Sequence, residues 1–380
     1  MHYFTFAEKD TTLYQGTGSL NAGLDEVLEI RKNVSDTGAS VDVSRILIKF
    51  DTTFFQEASS SGLIPQTGSR AAKYYLNLYD ANPKALAASQ SLYAYAISGS
   101  WDMGSGRSDS QPNIEDGCSW KYRDNNDTKT YWTSITGSGG AWFSGSDGQY
   151  SLEASQSFTH EPADLRMDVT GIVNNWIYSG SAYANEGFIL KRSGSVGNTN
   201  VSASEGNTTH YGHFIFFGRD THTIYQPKLE VVWNDSKWNT GSLSALSSDN
   251  LDDLVLYMRG LRPEYKEASK VKFRVVGRER YPEKSYSTSG YDTGYTTAKT
   301  LPSGSTYYQI KDAYTEEVII PFGSGSLVSC DSTGNYFNLW LNGLQSERFY
   351  RVEYKVVSGS GTADEKVEFY DEKHSFKVVR

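Results

Sequence analysis

FYRVEYKVV, residues 349–357, alternates without a break. Tyr350, Val352, Tyr354 and Val356 fall on one side, and Arg351, Glu353 and Lys355 on the other. Successive side chains of a strand point to opposite faces, so this period of two specifies a strand with one buried and one solvated face. One solvated face in turn means antiparallel sheet. Working outward, KVKFRVV (270–276) sets Val271, Phe273 and Val275 against Lys272 and Arg274, and YFNLWLNGL (336–344) and SFKVV (375–379) alternate in the same way. Residues 251–380 therefore read as one β-sandwich.

The same period recurs upstream. SRILIKFDTTF (44–54) reads as a strand, with Ile46, Ile48 and Phe50 alternating with Leu47 and Lys49. AAKYYLNLYDAN (71–82), SLYAYAISGSW (91–101), GFILKRSG (187–194), HFIFFGRD (213–220) and PKLEVVW (227–233) are further short strands bounded by Gly, Ser, Asn and Asp. DLRMDVTGIVNNWIYSG (164–180) breaks the pattern. Val169, Ile172, Val173, Trp176 and Ile177 fall at helical spacing behind Asp168 or Thr170 as caps, which predicts a short helix. Twenty-seven Tyr, 17 Phe and 35 Gly suit half-buried strands and frequent turns. The expected architecture is all-β. A domain over 1–236 carries a long Gly/Ser/Trp-rich insert at 102–160, a Ser/Asn-rich linker covers 237–250, and a second domain covers 251–380.

A net charge of −9 argues against a broad nucleic-acid-binding surface, which needs clustered Lys and Arg. No apolar run approaches the roughly 20 residues of a membrane span. MHYFTFAEKD lacks the basic and apolar regions of a signal peptide, so synthesis in the cytoplasm is expected. Cys118 and Cys330 are too far apart and too few for a disulfide framework or a zinc motif.

Chemistry-bearing candidates are few. His210, His213 and His222 cluster in sequence, but 210 and 213 would point to opposite faces of a regular strand. The pairs Glu115–Asp116, Asp252–Asp253 and Glu316–Glu317 are adjacent, and neighbours on a strand point apart, so adjacency makes no dyad. DNNDTKT (124–130) lacks EF-hand spacing and reads as an Asn/Asp turn or a calcium loop. RERYPEK (278–284) is a small basic cluster on a solvated loop. Trp101, Trp120, Trp132 and Trp142 are the remaining candidates. Exposed, they would form a platform for a glycan or a neighbouring subunit; buried, they would pin the insert to the core.

The first domain resembles the DNRLRE-type module, a jelly roll related to some carbohydrate-binding modules. The likeness is carried by Asp10, Thr12 and Tyr14 ahead of Asn21 and Gly23, then by SRILIKFD, YYLNLYD, Trp101, DVTGIVNNW (168–176), GFILK and PKLEVVW. It spans about 230 residues, and Trp176 would be structural. The second domain resembles a fibronectin-III or immunoglobulin-like sandwich through LNGLQSERFYRVEYKVV, with Leu344 six residues before Tyr350. The resemblance implies that Tyr350 forms a tyrosine corner, its hydroxyl bonded to backbone just upstream. The combination is similar to virion structural proteins of contractile-tailed marine phages. It implies a non-enzymatic virion protein at the tail, neck or collar, or on the shell. Such a protein would need no cofactor or metal and would contact other virion subunits in a symmetric assembly. It would bind no nucleic acid or membrane directly. The alternative is a carbohydrate-binding adhesin module that engages a surface glycan.

Overall fold

The structure is a computed structural model that describes residues 1–38, 40–132, 138–159, 164–180, 182–196, 200, 203–246, 251–281, 298–359, 361 and 365–380. The chain is nearly all β, with two short α-helices among the described residues and a sandwich- or barrel-like arrangement of sheets. It divides into two compact units. The N-terminal unit comprises Phe4–Ile64 and Lys73–Val231. The C-terminal unit comprises Met1–Tyr3, Pro65–Ala72 and Val232–Arg380.

In chain order the first strands are β1 (His2–Tyr14), β2 (Val27–Ile30), β3 (Lys32–Val34), β4 (Val41–Phe50), β5 (Lys73–Leu78) and β6 (Ser89–Ala96). Then come β7 (Tyr122–Asp124), β8 (Thr130–Tyr131), β9 (Glu153–Thr159), β10 (Leu165–Asp168), β11 (Phe188–Lys191), β12 (Phe214–Phe217) and β13 (Lys228–Val232). One sheet runs β10-β5-β13-β1-β4-β11-β6-β9, with β3 also paired to β4. Its two end strands are tied to each other, because the Gln156 side-chain amide accepts from Arg166 N at 2.8 Å and donates to Asp164 O at 3.2 Å. β12 pairs with β2, and its Phe214 stacks on Phe216 with ring centroids 5.7 Å apart.

Helix α1 (Thr53–Ser60) corrects the expectation of a strand through Phe54. Asp51 Oδ1 accepts from Thr53 N at 2.9 Å and from Thr53 Oγ1 at 2.6 Å, which halts the strand and turns the chain. Phe55 and Ala58 then point into the core. Helix α2 (Thr170–Tyr178) lies where the spacing predicts it. Asp168 Oδ1 accepts from Thr170 N at 3.0 Å, and Trp176 is buried with its ring 4.7 Å from that of Phe188.

The C-terminal unit contains β14 (Leu254–Arg259), β15 (Glu264–Lys266), β16 (Lys270–Glu279), β17 (Thr306–Asp312) and β18 (Val318–Ile320). β19 (Ser329–Asp331), β20 (Gly334–Trp340), β21 (Phe349–Ser358) and β22 (Lys366–Val379) complete it. The sheet β14-β16-β20-β19 packs on the sheet β15-β22-β21-β17-β18. Rings from the two sheets interleave: Tyr308 of β17 stacks on Phe337 of β20 at 4.1 Å, and Phe376 of β22 meets Phe273 of β16 at 5.2 Å. The alternation in β21 is realised, with Tyr350, Val352, Tyr354 and Val356 buried and Arg351, Glu353 and Lys355 half-buried on the outer face.

Residues 237–246 are not a free linker. Cys330 N donates to Lys237 O at 2.9 Å and Asn239 N donates to Cys330 O at 3.0 Å, which ties the segment along β19. The rest of the expected linker, 247–250, lies outside the described residues, as do 282–284 of the basic cluster.

Candidate functional site

The long insert is anchored from two directions. Asn21, fully buried in the first loop, uses all of its amide. Nδ2 donates to Met103 O (2.7 Å) and Cys118 O (2.8 Å), while Oδ1 accepts from Gly23 N (3.1 Å) and Gly106 N (2.7 Å). A Cβ at Gly23 would stand 2.2 Å from Met103 O, so only glycine allows this approach. The asparagine and glycine carry part of the family resemblance; here they clamp the insert to the sheet.

The second anchor is aromatic. Trp101, Trp120 and Trp132 are buried in a cluster with Leu13, Leu47, Ile97, Cys118 and Ile189, and half-buried Trp142 packs against it. Trp101 Nε1 donates to Glu186 O at 2.9 Å, and Trp132 Nε1 donates to Ser119 O at 2.8 Å. The four tryptophans do come together, but three are core. Of the two alternatives, Trp101, Trp120 and Trp132 take the one in which the rings pin the insert to the core. The insert also ends earlier than expected, because Glu153–Thr159 is β9, paired with β6 at the sheet edge.

A charged cluster lies against these rings. Arg45 Nε and Nη2 donate to the two carboxylate oxygens of Glu205 at 2.8 and 2.7 Å, and Lys191 Nζ is 3.3 Å from Glu205 Oε2. All three side chains are at most 2% exposed, so the charges are cut off from water. The Arg45 guanidinium stands 4.6 Å from the Trp120 ring centroid and 5.1 Å from that of Trp142, and Lys191 lies 5.2 Å from that of Trp142. Burial pulls the Lys191 ammonium down to about 8, against the pull of Glu205. Arg45 Nη1 also donates to Gly139 O at 2.5 Å, so one arginine joins the sheet, the insert and the 205 turn.

The other candidates disperse. His213 Nε2 lies 3.0 Å from Asn33 Oδ1, and His222 is exposed beside Glu26 at 3.7 Å. Asp124 Oδ1 accepts from Asn126 N at 3.0 Å, an Asx turn within DNNDTKT. Tyr350 is buried, and its hydroxyl donates to Gln345 O at 2.9 Å. Leu344 is also buried, its N–H donating to Leu341 O at 3.0 Å. Among the described residues no helix is long and apolar enough to cross a membrane.

Two exposed features were missed in the sequence. On β6, Tyr93 and Tyr95 are half-buried and stacked, with centroids 6.3 Å apart, on one face with Ser91, whose hydroxyl meets that of Ser157 on β9. On the outer face of the five-stranded C-terminal sheet, Phe369 is 61% exposed and Phe349 39%, and Tyr314, 74% exposed in the turn after β17, meets Phe349 edge-on. Lys311–Glu353 and Arg351–Glu353 ion pairs of 2.8 and 3.1 Å lie on the same face. Alternation reveals that such residues face outward; it does not reveal that apolar ones are left uncovered.

No family model matches the chain, and no curated protein does. Among solved structures it is similar to a DUF4785 family protein from Legionella pneumophila subsp. pneumophila str. Philadelphia 1, at 9% identity and TM-score 0.19, over 98% of this chain and 65% of that one. An FMN-binding beta-glucuronidase from Facaelibacterium prausnitzii L2-6 gives 9% identity and TM-score 0.14, over 91% of this chain and 39% of that one. E. coli alpha-2-macroglobulin gives 10% and 0.18, over 97% and 24%. The chain thus spans less than two thirds of the length of each, and likeness at these TM-scores carries no argument.

Proposed function

We propose that the chain is a virion structural protein of a tailed phage that acts through subunit contacts rather than catalysis. The virion assignment rests on the resemblance carried by the combination of the two modules in one acidic chain. The observation that carries a contact role is the outer face of the C-terminal sheet. Phe369, Val367 and Phe349, with Tyr314 in the adjoining turn, are left open on a sheet whose buried face is already filled with rings. Exposed aromatics flanked by charged pairs are the composition of protein interfaces. The N-terminal unit supports the same reading by turning its tryptophans inward and cross-linking its insert, which gives a rigid body for holding neighbours in register.

The test is a map of the intact particle together with the double variant Phe369→Asp, Val367→Asp. The chain is expected at symmetry-related positions with this face covered by an interface above about 1,000 Å². The variant should fold and fail to incorporate. A chain found free and monomeric in infected cells, or a variant incorporated at wild-type level, rules the reading out.

The stacked Tyr93–Tyr95 pair beside Ser91 favours one second reading, a glycan-binding module. Ring faces next to hydroxyls suit a saccharide. Loss of glycan binding in Tyr93→Ala would promote it.

A further inference from the structure

Two further buried cations of the N-terminal unit make no ion pair with Glu205, which acts on them only at longer range. Lys32 is 2% exposed and Arg192 1%. Their hydrogen bonds go to neutral acceptors. Lys32 Nζ donates to Ser204 O at 2.5 Å and to Asn207 Oδ1 at 2.6 Å. Arg192 Nη1 donates to Gln90 Oε1, and Nη2 donates to Gly212 O at 3.0 Å and Tyr211 O at 3.4 Å. Both cations lie by the Tyr211 ring, 5.0 and 5.2 Å from its centroid.

Arg192 Nε is buried without a hydrogen-bond partner, and Lys32 has used two of its three N–H groups. The Glu205 carboxylate acts on both at longer range, but it is already paired with Arg45 and Lys191, so four buried cations share one carboxylate and a further anion is called for. The flanking chain does not supply one, because residues 193–204 and 206–218 contain no Asp or Glu. The half-exposed phenol of Tyr211 is lowered from its usual value by hydrogen bonding from Asn207, with Ser204, Thr209 and Arg192 adding, so this position already favours negative charge. Lys84 and Arg31 add positive charge around neighbouring His213, with Glu29 opposing them. An electropositive corner has thus been built into a chain of net charge −9.

We propose that this corner binds an oxyanion group (phosphate, sulfate or carboxylate) through the spare N–H groups of Lys32 and Arg192 beside Tyr211. This does not rest on the virion reading.

The test is calorimetric titration of the full chain with sodium phosphate, sulfate and acetate at constant ionic strength, with chloride as the control. Saturable binding of at least one of them is expected, with Kd below about 1 mM and a rise in Tm. Phosphate or sulfate in preference to acetate would assign the natural group as a phosphate or sulfate ester, and the reverse as a carboxylate. Lys32→Met should weaken binding at least about tenfold, the loss of one charged contact. Asn207→Asp, which is nearly isosteric and supplies the missing charge internally, should raise Tm and abolish binding. It keeps the proposal testable if Lys32→Met does not fold. No binding above the chloride control up to about 20 mM, or unchanged affinity in Asn207→Asp, overturns the proposal.

Discussion

Replacing Asp10 by Asn should stabilise the protein, and only above acidic pH. Asp10 is 1% exposed in β1. One carboxylate oxygen accepts from Arg219 N at 2.6 Å, and the other is buried without a hydrogen-bond partner. Burial raises this carboxyl from 3.8 to about 7, against the Arg219 N–H and charge, with Asp220 and Asp25 pushing it further up. Between those pH values the folded chain holds a proton that the unfolded chain has released. The resulting stabilisation is complete below about 3.8 and is lost as pH rises to about 7. A rise of about three pH units at about 1.4 kcal/mol each sets an upper bound of about 4 kcal/mol. Asn is neutral at every pH and keeps an oxygen for Arg219 N. Asp10→Asn should therefore match wild type at pH 4 and exceed it by about 2–4 kcal/mol at pH 8. Urea unfolding followed by tryptophan fluorescence at pH 4, 6 and 8 measures this. A variant less stable than wild type at pH 8, or a difference that does not change with pH, refutes the reasoning.

Tyr350→Phe should cost about 1–3 kcal/mol in urea unfolding of the C-terminal unit, since it orphans Gln345 O; no change would mean that water replaces the hydroxyl. Glu205→Gln should cost about 3–5 kcal/mol, because Arg45 and Lys191 lose their shared counter-charge, and the loss should appear as a lower calorimetric Tm. Asn21→Ala strips four hydrogen bonds from the insert and should cost more than about 3 kcal/mol, with faster amide exchange at Gly106 as the local readout.

Where a strand has one wet face, as in residues 349–357, its two-residue period is visible and the structure follows it. The same holds for α2, whose apolar spacing is local, although its N-cap is Val169 rather than Asp168 or Thr170 and Asp168 only accepts from Thr170 N in the preceding turn. α1 was hidden because its two phenylalanines continue the apolar run of β4; the Asp51–Thr53 turn was the available signal. β9 was hidden because EASQSFT lies at a sheet edge and has little to bury. At the candidate site, the residue types in the insert revealed that the tryptophans mattered but not which way they face. Trp120 and Trp142 face Arg45 and Lys191, which with Glu205 are far apart in sequence and carry no local pattern. A buried arginine reads like a surface one until its partner is located.

Arg45 has a consequence for the order of synthesis. Its hydrogen bonds reach Gly139, 94 residues on, and Glu205, 160 residues on. A chain emerging from the ribosome presents Arg45 long before either acceptor exists. Until residue 205 has been made, the guanidinium holds its water, and β4 cannot bury the face that later carries the tryptophans. Closure of the N-terminal unit is therefore expected late, after nearly all of its sequence is available, because contacts this far apart in sequence form slowly. A nascent fragment stopped short of Glu205 lacks the carboxylate that Arg45 needs, and its aromatic surface is expected to stay open.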